Sequence, residues 1–232
     1  MELNSSQHIS QRFDQELDEM RGRVVVMCDR VSKQLSQAVT AYMNRDEITA
    51  DCVIQNDQEI NELQMKVDEE CSLIIARHQP TASDLRLVIG VTRIISDLER
   101  IGDQAKKIAK KAIAHHYSPA LAQQHSAPLS ELTTETERAL MTAIDTFTSL
   151  EIENRDQIAA HDRKVDRAFS ALMEAITSTL QDNQREIRSA IDMMWVAHSL
   201  ERIGDHSRNI CEAAVYIVRG KDIRHSEEQI EG

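Results

Sequence analysis

Glu99 and Asp103 stand four residues apart, and Glu201 and Asp205 repeat them 102 positions later. On a helix each pair shares one face, where two like charges cost roughly 0.2–0.5 kcal/mol unless something compensates them. Asp57 with Asn61 and Asp162 with Asp166 form a related pair at an offset of 105. Carboxylate and amide oxygens suit Mg, Mn or Ca, and Fe or Zn accept them too. Where the helices carrying these pairs lie side by side, the geometry forms one oxygen-lined patch per half. The plainer alternative is a solvated charged face, with Arg100 pairing to Asp103, Arg202 to Asp205, and Asp103 also reaching Lys107.

The elements that must position these acids are duplicated. Leu98-Glu99-Arg100-Ile101-Gly102-Asp103 returns unchanged as Leu200-Glu201-Arg202-Ile203-Gly204-Asp205. Chance alone would produce such a self-match on the order of once in a thousand chains of this length. Both copies start alike, with Thr81 three residues before Asp84 and Asn183 three before Glu186, the pattern of a side-chain-capped helix start. The apolar positions Val91, Ile94, Leu98, Ile101, Ala105, Ile108 and Ala112, with Met193, Val196, Leu200, Ile203, Ser207, Ile210 and Ala214 in the second copy, follow a heptad seam. In that register Glu99 and Asp103 fall outside the seam. The second-helix pairs do as well, which places all the acids on the outer surface. Gly102 and Gly204 sit mid-helix, at a cost of ~1 kcal/mol each relative to Ala. They imply close approach of a neighbouring helix or ligand, or else inherited tolerance.

Taken in order, the spacing predicts helices over about Ser5 to Met43, Glu47 to Arg77, Ser83 to His115, Leu129 to Leu150, Asn154 to Leu180 and Gln184 to Arg219. The expected fold is all-α, with six long helices in two tandem three-helix bundles related by internal duplication. Residues 1–117 form the first repeat, 118–128 a linker marked by Pro119 and Pro128, 129–220 the second repeat, and 221–232 a polar tail. Only 6 Gly and 3 Pro in 232 residues agree with few turns. A net charge of −12 disfavours general nucleic-acid binding and points to cations or basic protein surfaces. The longest apolar runs are too short for a membrane span, and the polar start is no signal peptide, so a cytoplasmic protein is expected.

Cys28, Cys52, Cys71 and Cys211 are scattered and read as small core residues rather than a zinc site. His161 adjoins Asp162, while His198 and His206 have Ser96 and Gln104 as counterparts, so no site shared by both halves can depend on them. No Glu precedes a His by three residues, which argues against a carboxylate-bridged di-metal bundle. A histidine phosphotransfer module through His198 or His206 is the other alternative, but it leaves the duplication unexplained. No catalytic triad or Gly-rich phosphate loop appears, so no enzyme is expected.

At the repeated acidic motif, the second-helix pairs and the duplication, the sequence resembles the PhoU family of bacterial phosphate-signalling proteins over nearly its whole length. The resemblance implies a pseudo-twofold pair of three-helix bundles and a non-catalytic, cytoplasmic, dimeric negative regulator of the phosphate-starvation (Pho) response and of phosphate uptake. Its implied partners are the phosphate ABC transporter ATPase and a two-component sensor histidine kinase, with membrane contact only peripheral, through them. The resemblance also implies divalent metal (Mg, Mn, Fe or Zn) at Glu99, Asp103, Glu201 and Asp205, with Asp57, Asn61, Asp162 and Asp166 at the acidic second-helix positions. Asn61 departs from that pattern, since an amide stands where Asp166 is acidic, and this implies weaker metal binding in the first half.

Overall fold

The structure, a computed structural model, describes residues 3–114, 117–150, 155–182, 186–221 and 223. Six long helices and one short one make it up: α1 (Leu3–Asn44), α2 (Glu47–His78), α3 (Ala82–Ala112), α4 (Pro119–Gln124), α5 (Ser126–Ser149), α6 (Arg155–Asp182) and α7 (Ile187–Arg219). No strand occurs among the described residues, and none of their helices is long and apolar enough to cross a membrane. The all-α duplicated architecture expected from the sequence is present.

In the first bundle α1, α2 and α3 run up, down and up. Arg23 of α1 bonds Glu70 of α2, and Gln34 bonds Asp57, so the pairing order reverses along the two chains. Met20, Val24, Met27, Val31 and Leu35 face Val53, Ile60, Val67 and Ile74, with Val91, Ile94, Leu98 and Ile101 closing the core. Each side chain fully buried in this way contributes about 1.5–3 kcal/mol. α5, α6 and α7 repeat the plan with Leu132, Leu140, Phe147, Val165, Leu172, Ile176, Val196, Leu200 and Ile203.

The corners rely on backbone conformation, because glycine is scarce. Arg45, Gln79, Ala82 and Leu150 all adopt positive φ, between 45° and 54°. Asp46 caps α2 by accepting from the Thr49 N–H at 3.1 Å. Thr81 is the N-cap of α3, but its side chain makes no capping bond; the Asp84 N–H donates to the Thr81 carbonyl at 3.1 Å instead. The capping box expected there is therefore replaced by a backbone bond beside Ala82, which sits at φ 45°. Asn183, its expected counterpart, lies outside the described residues.

Three further expectations change. The stretch 118–128 is no plain linker: Ser118 caps α4, and its backbone N–H donates to Ser189 of α7 at 2.9 Å. Leu121 is buried, and Pro128 falls in the first turn of α5, where a missing N–H costs nothing. α3 ends at Ala112 rather than His115. Cys28, Cys71 and Cys211 are core residues, with burial pushing Cys28 and Cys71 up to about 12, but Cys52 is exposed. The polar tail lies largely outside the described residues.

The two bundles join through α3 and α7, which run antiparallel. Gly90 faces Ala213 and Ile217, Asp97 meets His206 and Asn209, and Lys111 meets Asp192. A Cβ on Gly90 would sit 2.2 Å from Ile217 Cγ1, whereas one on Gly22 in α1 would meet nothing within 4 Å. Gly22→Ala is therefore expected to raise stability by about 0.5–1 kcal/mol, the helix-propensity gain. Gly90→Ala is expected to lower it by about 1–3 kcal/mol through overpacking. Urea unfolding of both variants checks this; a Gly90→Ala protein as stable as Gly22→Ala would show the close approach to be dispensable.

Candidate functional site: two acidic patches and their internal cations

The site begins with how closely the second helices reach the third. A Cβ on Gly204 would lie 2.9 Å from Val165 Cγ1, and one on Gly102 3.2 Å from Ile60 Cδ1 and 3.1 Å from Gln34 Oε1. Val165 and Ile60 are equivalent at the offset of 105 that relates the second-helix acids. The repeated glycines thus let α2 seat against α3 and α6 against α7.

That seating draws the eight oxygen-bearing residues into two groups. Glu99 is raised above the usual carboxylate range by burial, then by the neighbouring charges of Asp103 and Asp57. Asp205 is raised by burial, with Arg208 opposing and Glu201 and Asp162 reinforcing; Asp166, though exposed, is raised by the partial desolvation of its carboxyl and then by Asp162 and Asp205. Asn61, one helical turn from Asp57 on α2, is half-buried, with an Oδ1 that has no hydrogen-bond partner.

Burial departs from the expected outer surface in one important case. Asp57 is 1% exposed. Glu99, Asp103, Glu201, Asp205 and Asp162 are half-buried, and Asp166 is exposed. The heptad register placed them outside because it assumed one buried seam per helix. Asp57 sits on α2, where Gln34 of α1 and Lys106 of α3 close over it; α3 too is covered beyond its seam, at Ile95, Gln104 and Ala109.

Each group contains a cation that periodicity did not single out. Lys106 Nζ lies 2.7 Å from Asp57 Oδ2, and Arg208 Nη1 lies 2.8 Å from Asp162 Oδ2. Lys106 is raised first by its hydrogen bond to Asp57, with Asp103 and Glu99 adding to it. Burial works against Arg208, but Asp162, Glu212 and Asp205 outweigh it. The repeat offset of 102 links Lys106 to Arg208, a signal that was available in the sequence. Gln34 of α1, which donates to Asp57 Oδ1 at 3.3 Å, left no such signal. The plainer expectation of i,i+3 neutralisation is not met as drawn. Among the described residues no ion pair joins Arg100 to Asp103, Arg202 to Asp205, or Asp103 to Lys107, and Asp205 is met by Arg208 at 3.9 Å.

Among the described residues no three His, Cys, Asp or Glu side chains stand close enough to hold a metal ion. The donor set nevertheless fits a divalent cation in kind. It offers several carboxylates per half, with Glu99 in the first and Asp166 and Asp205 in the second raised by burial and then by neighbouring acids, and two buried oxygens, Gln34 Oε1 and Asn61 Oδ1, with no partner. The histidines stand apart from this set. His206 is buried, with Nδ1 2.9 Å from Asp97, and His198 packs on Phe169 beside Glu201.

Comparison with known proteins gives concordant results. The family description "PhoU domain" matches residues 24–112 and 129–214. The "Phosphate-specific transport system accessory protein PhoU" of Escherichia coli (strain K12) is 38% identical over 226 residues, covering 96% of this chain and 92% of that one. The Pseudomonas aeruginosa homologue is 36% identical over 223 residues, covering 94% and 90%. The crystal structure of PhoU from Pseudomonas aeruginosa superposes with a TM-score of 0.82 at 34% identity, over 90% of this chain and all of that one. That from Streptococcus pneumoniae gives 0.80 at 27% identity, over 91% and 99%.

A carboxyl whose folded-state value is raised binds its proton more tightly in the folded protein. Stability is then lost as pH rises from the ordinary carboxylate range through the raised value. Thermal melts of Glu99→Gln in a chelator are therefore expected to exceed wild type at neutral pH, with the gap closing toward about pH 4, where ordinary carboxylates protonate. A gap that widens on acidification would reverse the assignment.

Proposed function

This chain belongs to the PhoU family, and from that premise we propose that it is a non-catalytic negative regulator of the phosphate-starvation response and of phosphate uptake. It acts as a cytoplasmic helical adaptor between the phosphate ABC transporter and a sensor histidine kinase, and it works as a homodimer. The observation that carries this reading is the match, over 94–96% of the chain, to relatives named as accessory proteins of the phosphate-specific transport system. The fold supports it by offering long helix faces on a double bundle, a form suited to docking partners.

The acidic patches are the ligand-binding part of the proposal. Glu99, Asp103, Asp57 and Asn61 would hold a divalent ion in the first half, and Glu201, Asp205, Asp162 and Asp166 in the second. Such an ion would supply positive charge that offsets the burial, and with it the mutual repulsion, raising Glu99, Asp166 and Asp205. The chain's own residues contribute oxygen ligands on two helices per half, so an ion bound there would tie α2 to α3 and α6 to α7. The alternative of phosphotransfer through His206 finds no support in a buried ring bonded to Asp97.

In cells lacking this chain, a phosphate-starvation promoter reporter is expected to stay on in phosphate-rich medium and to return to low when the gene is restored. An unchanged reporter would remove the regulatory role. Calorimetry with Mn²⁺ is expected to show binding to the wild type that weakens by at least roughly tenfold, about 1.4 kcal/mol, in Glu99→Ala/Asp103→Ala. Equal binding by both proteins would argue against a site at that motif.

A further inference from the structure

We propose that Lys106 and Arg208 are exchangeable internal counter-ions, one in each repeat, which a divalent cation must displace to reach Asp57 or Asp162. This rests on the metal reading above and concerns what sets the affinity of each patch. Asp57 is almost fully buried, and a carboxylate so placed requires a cation. Gln34 Nε2 takes its Oδ1 at 3.3 Å and Lys106 takes its Oδ2 at 2.7 Å. A metal using Asp57 therefore competes with the ammonium for the same oxygen.

The second half repeats the arrangement with a different cation. Arg208 bonds Asp162 Oδ2 at 2.8 Å. Position 106 maps to 208 by the offset relating the third helices, and 57 maps to 162 by the offset relating the second helices. The same cation–carboxylate clamp thus occurs at equivalent places in both bundles.

Two observations indicate that a metal would satisfy more of the first patch than lysine does. Gln34, 4% exposed, has an Oε1 with no hydrogen-bond partner, and Asn61 Oδ1 has none either. An ammonium at Asp57 leaves these acceptors unused, whereas a divalent ion with six or more oxygen ligands draws on neutral oxygens of this kind.

The two clamps are unequal. Lys106 is a single charge on a flexible stem whose ion pair is with Asp57. The planar guanidinium of Arg208 is shared among Asp162, Asp205 at 3.9 Å and Glu212 at 3.9 Å. Arginine holds its charge at any working pH, and its fork fits carboxylates. The second patch is accordingly the harder to load. This reverses the order that the amide of Asn61 suggested from sequence.

The test is Mn²⁺ calorimetry on the full chain at fixed pH, comparing wild type with Lys106→Met, Arg208→Met and Lys107→Met. Lys107 is the exposed neighbour and controls for general loss of positive charge. Lys106→Met and Arg208→Met are each expected to tighten binding by roughly tenfold at the repeat they alter, with Lys107→Met unchanged. Wild-type binding with neither variant tighter than Lys107→Met would overturn the exchange while leaving the metal reading in place. No heat from any of the four proteins would overturn the metal reading, and the exchange with it. Should Lys106→Met fail to fold with Asp57 left bare, Arg208→Met decides, since the Arg208 side chain is 40% exposed. For the ranking, Glu201→Ala/Asp205→Ala, which keeps the first patch, is expected to bind more tightly than Glu99→Ala/Asp103→Ala. The opposite order would overturn it.

Discussion

The antiparallel contact between α3 and α7 is the constraint on which the rest of the molecule depends. Each of these helices must bury one stripe inside its own bundle and another against its counterpart. Gly90 permits the approach at one end by leaving room for Ile217, and the Lys111–Asp192 ion pair marks the other. Between them Asp97 receives His206 at 2.9 Å and Asn209 at 3.2 Å, so a buried carboxylate is satisfied across the joint. Removing one partner from such a bond costs about 1–3 kcal/mol, which favours a single registration of the two bundles.

The duplication is not symmetric at this joint. Asp97 and His206 correspond, through the repeat, to Ser199 and Gln104, all four of them buried. One side of the pseudo-twofold axis carries a hydrogen-bonded ionisable pair, and the equivalent positions on the other are an uncharged serine and glutamine. The bundle seams diverge as well, with Val91 answered by Met193 and Ala105 by Ser207, but they keep to uncharged residues that close packing admits. Polar positions at the axis are freer to differ, provided each finds a partner.

From this joint the acidic patches follow. With the outward faces of α3 and α7 set by their mutual contact, α2 and α6 dock alongside, and Gly102 and Gly204 let them approach until Ile60 and Val165 touch the third helices. Asp57 and Asp162 are thereby carried up to Lys106 and Arg208. The like charges cluster because the helices must pack, and the internal cations make that clustering tolerable in the absence of other ligands.

Much of this was legible in the chain. Period and duplication determined six long helices in two bundles, since a helix must bury its apolar stripe and the stripes recur at Leu98 and Leu200 with the same spacing. The paired acids and the mid-helix glycines were visible as repeated oddities, and Lys106 with Arg208 was visible through the same offset. What tertiary structure alone decided was the second buried face of α3 and α7. A one-seam heptad argument does not contain it, because the face comes from packing one repeat against the other. That face covers Gln104 and His206; packing likewise decided that Ser118 bonds Ser189 of α7 and that Asp57 of α2 is closed in by Gln34 and Lys106 instead of solvated. Local sequence sets what a helix can bury; which of its remaining faces meets another helix depends on residues a hundred positions away.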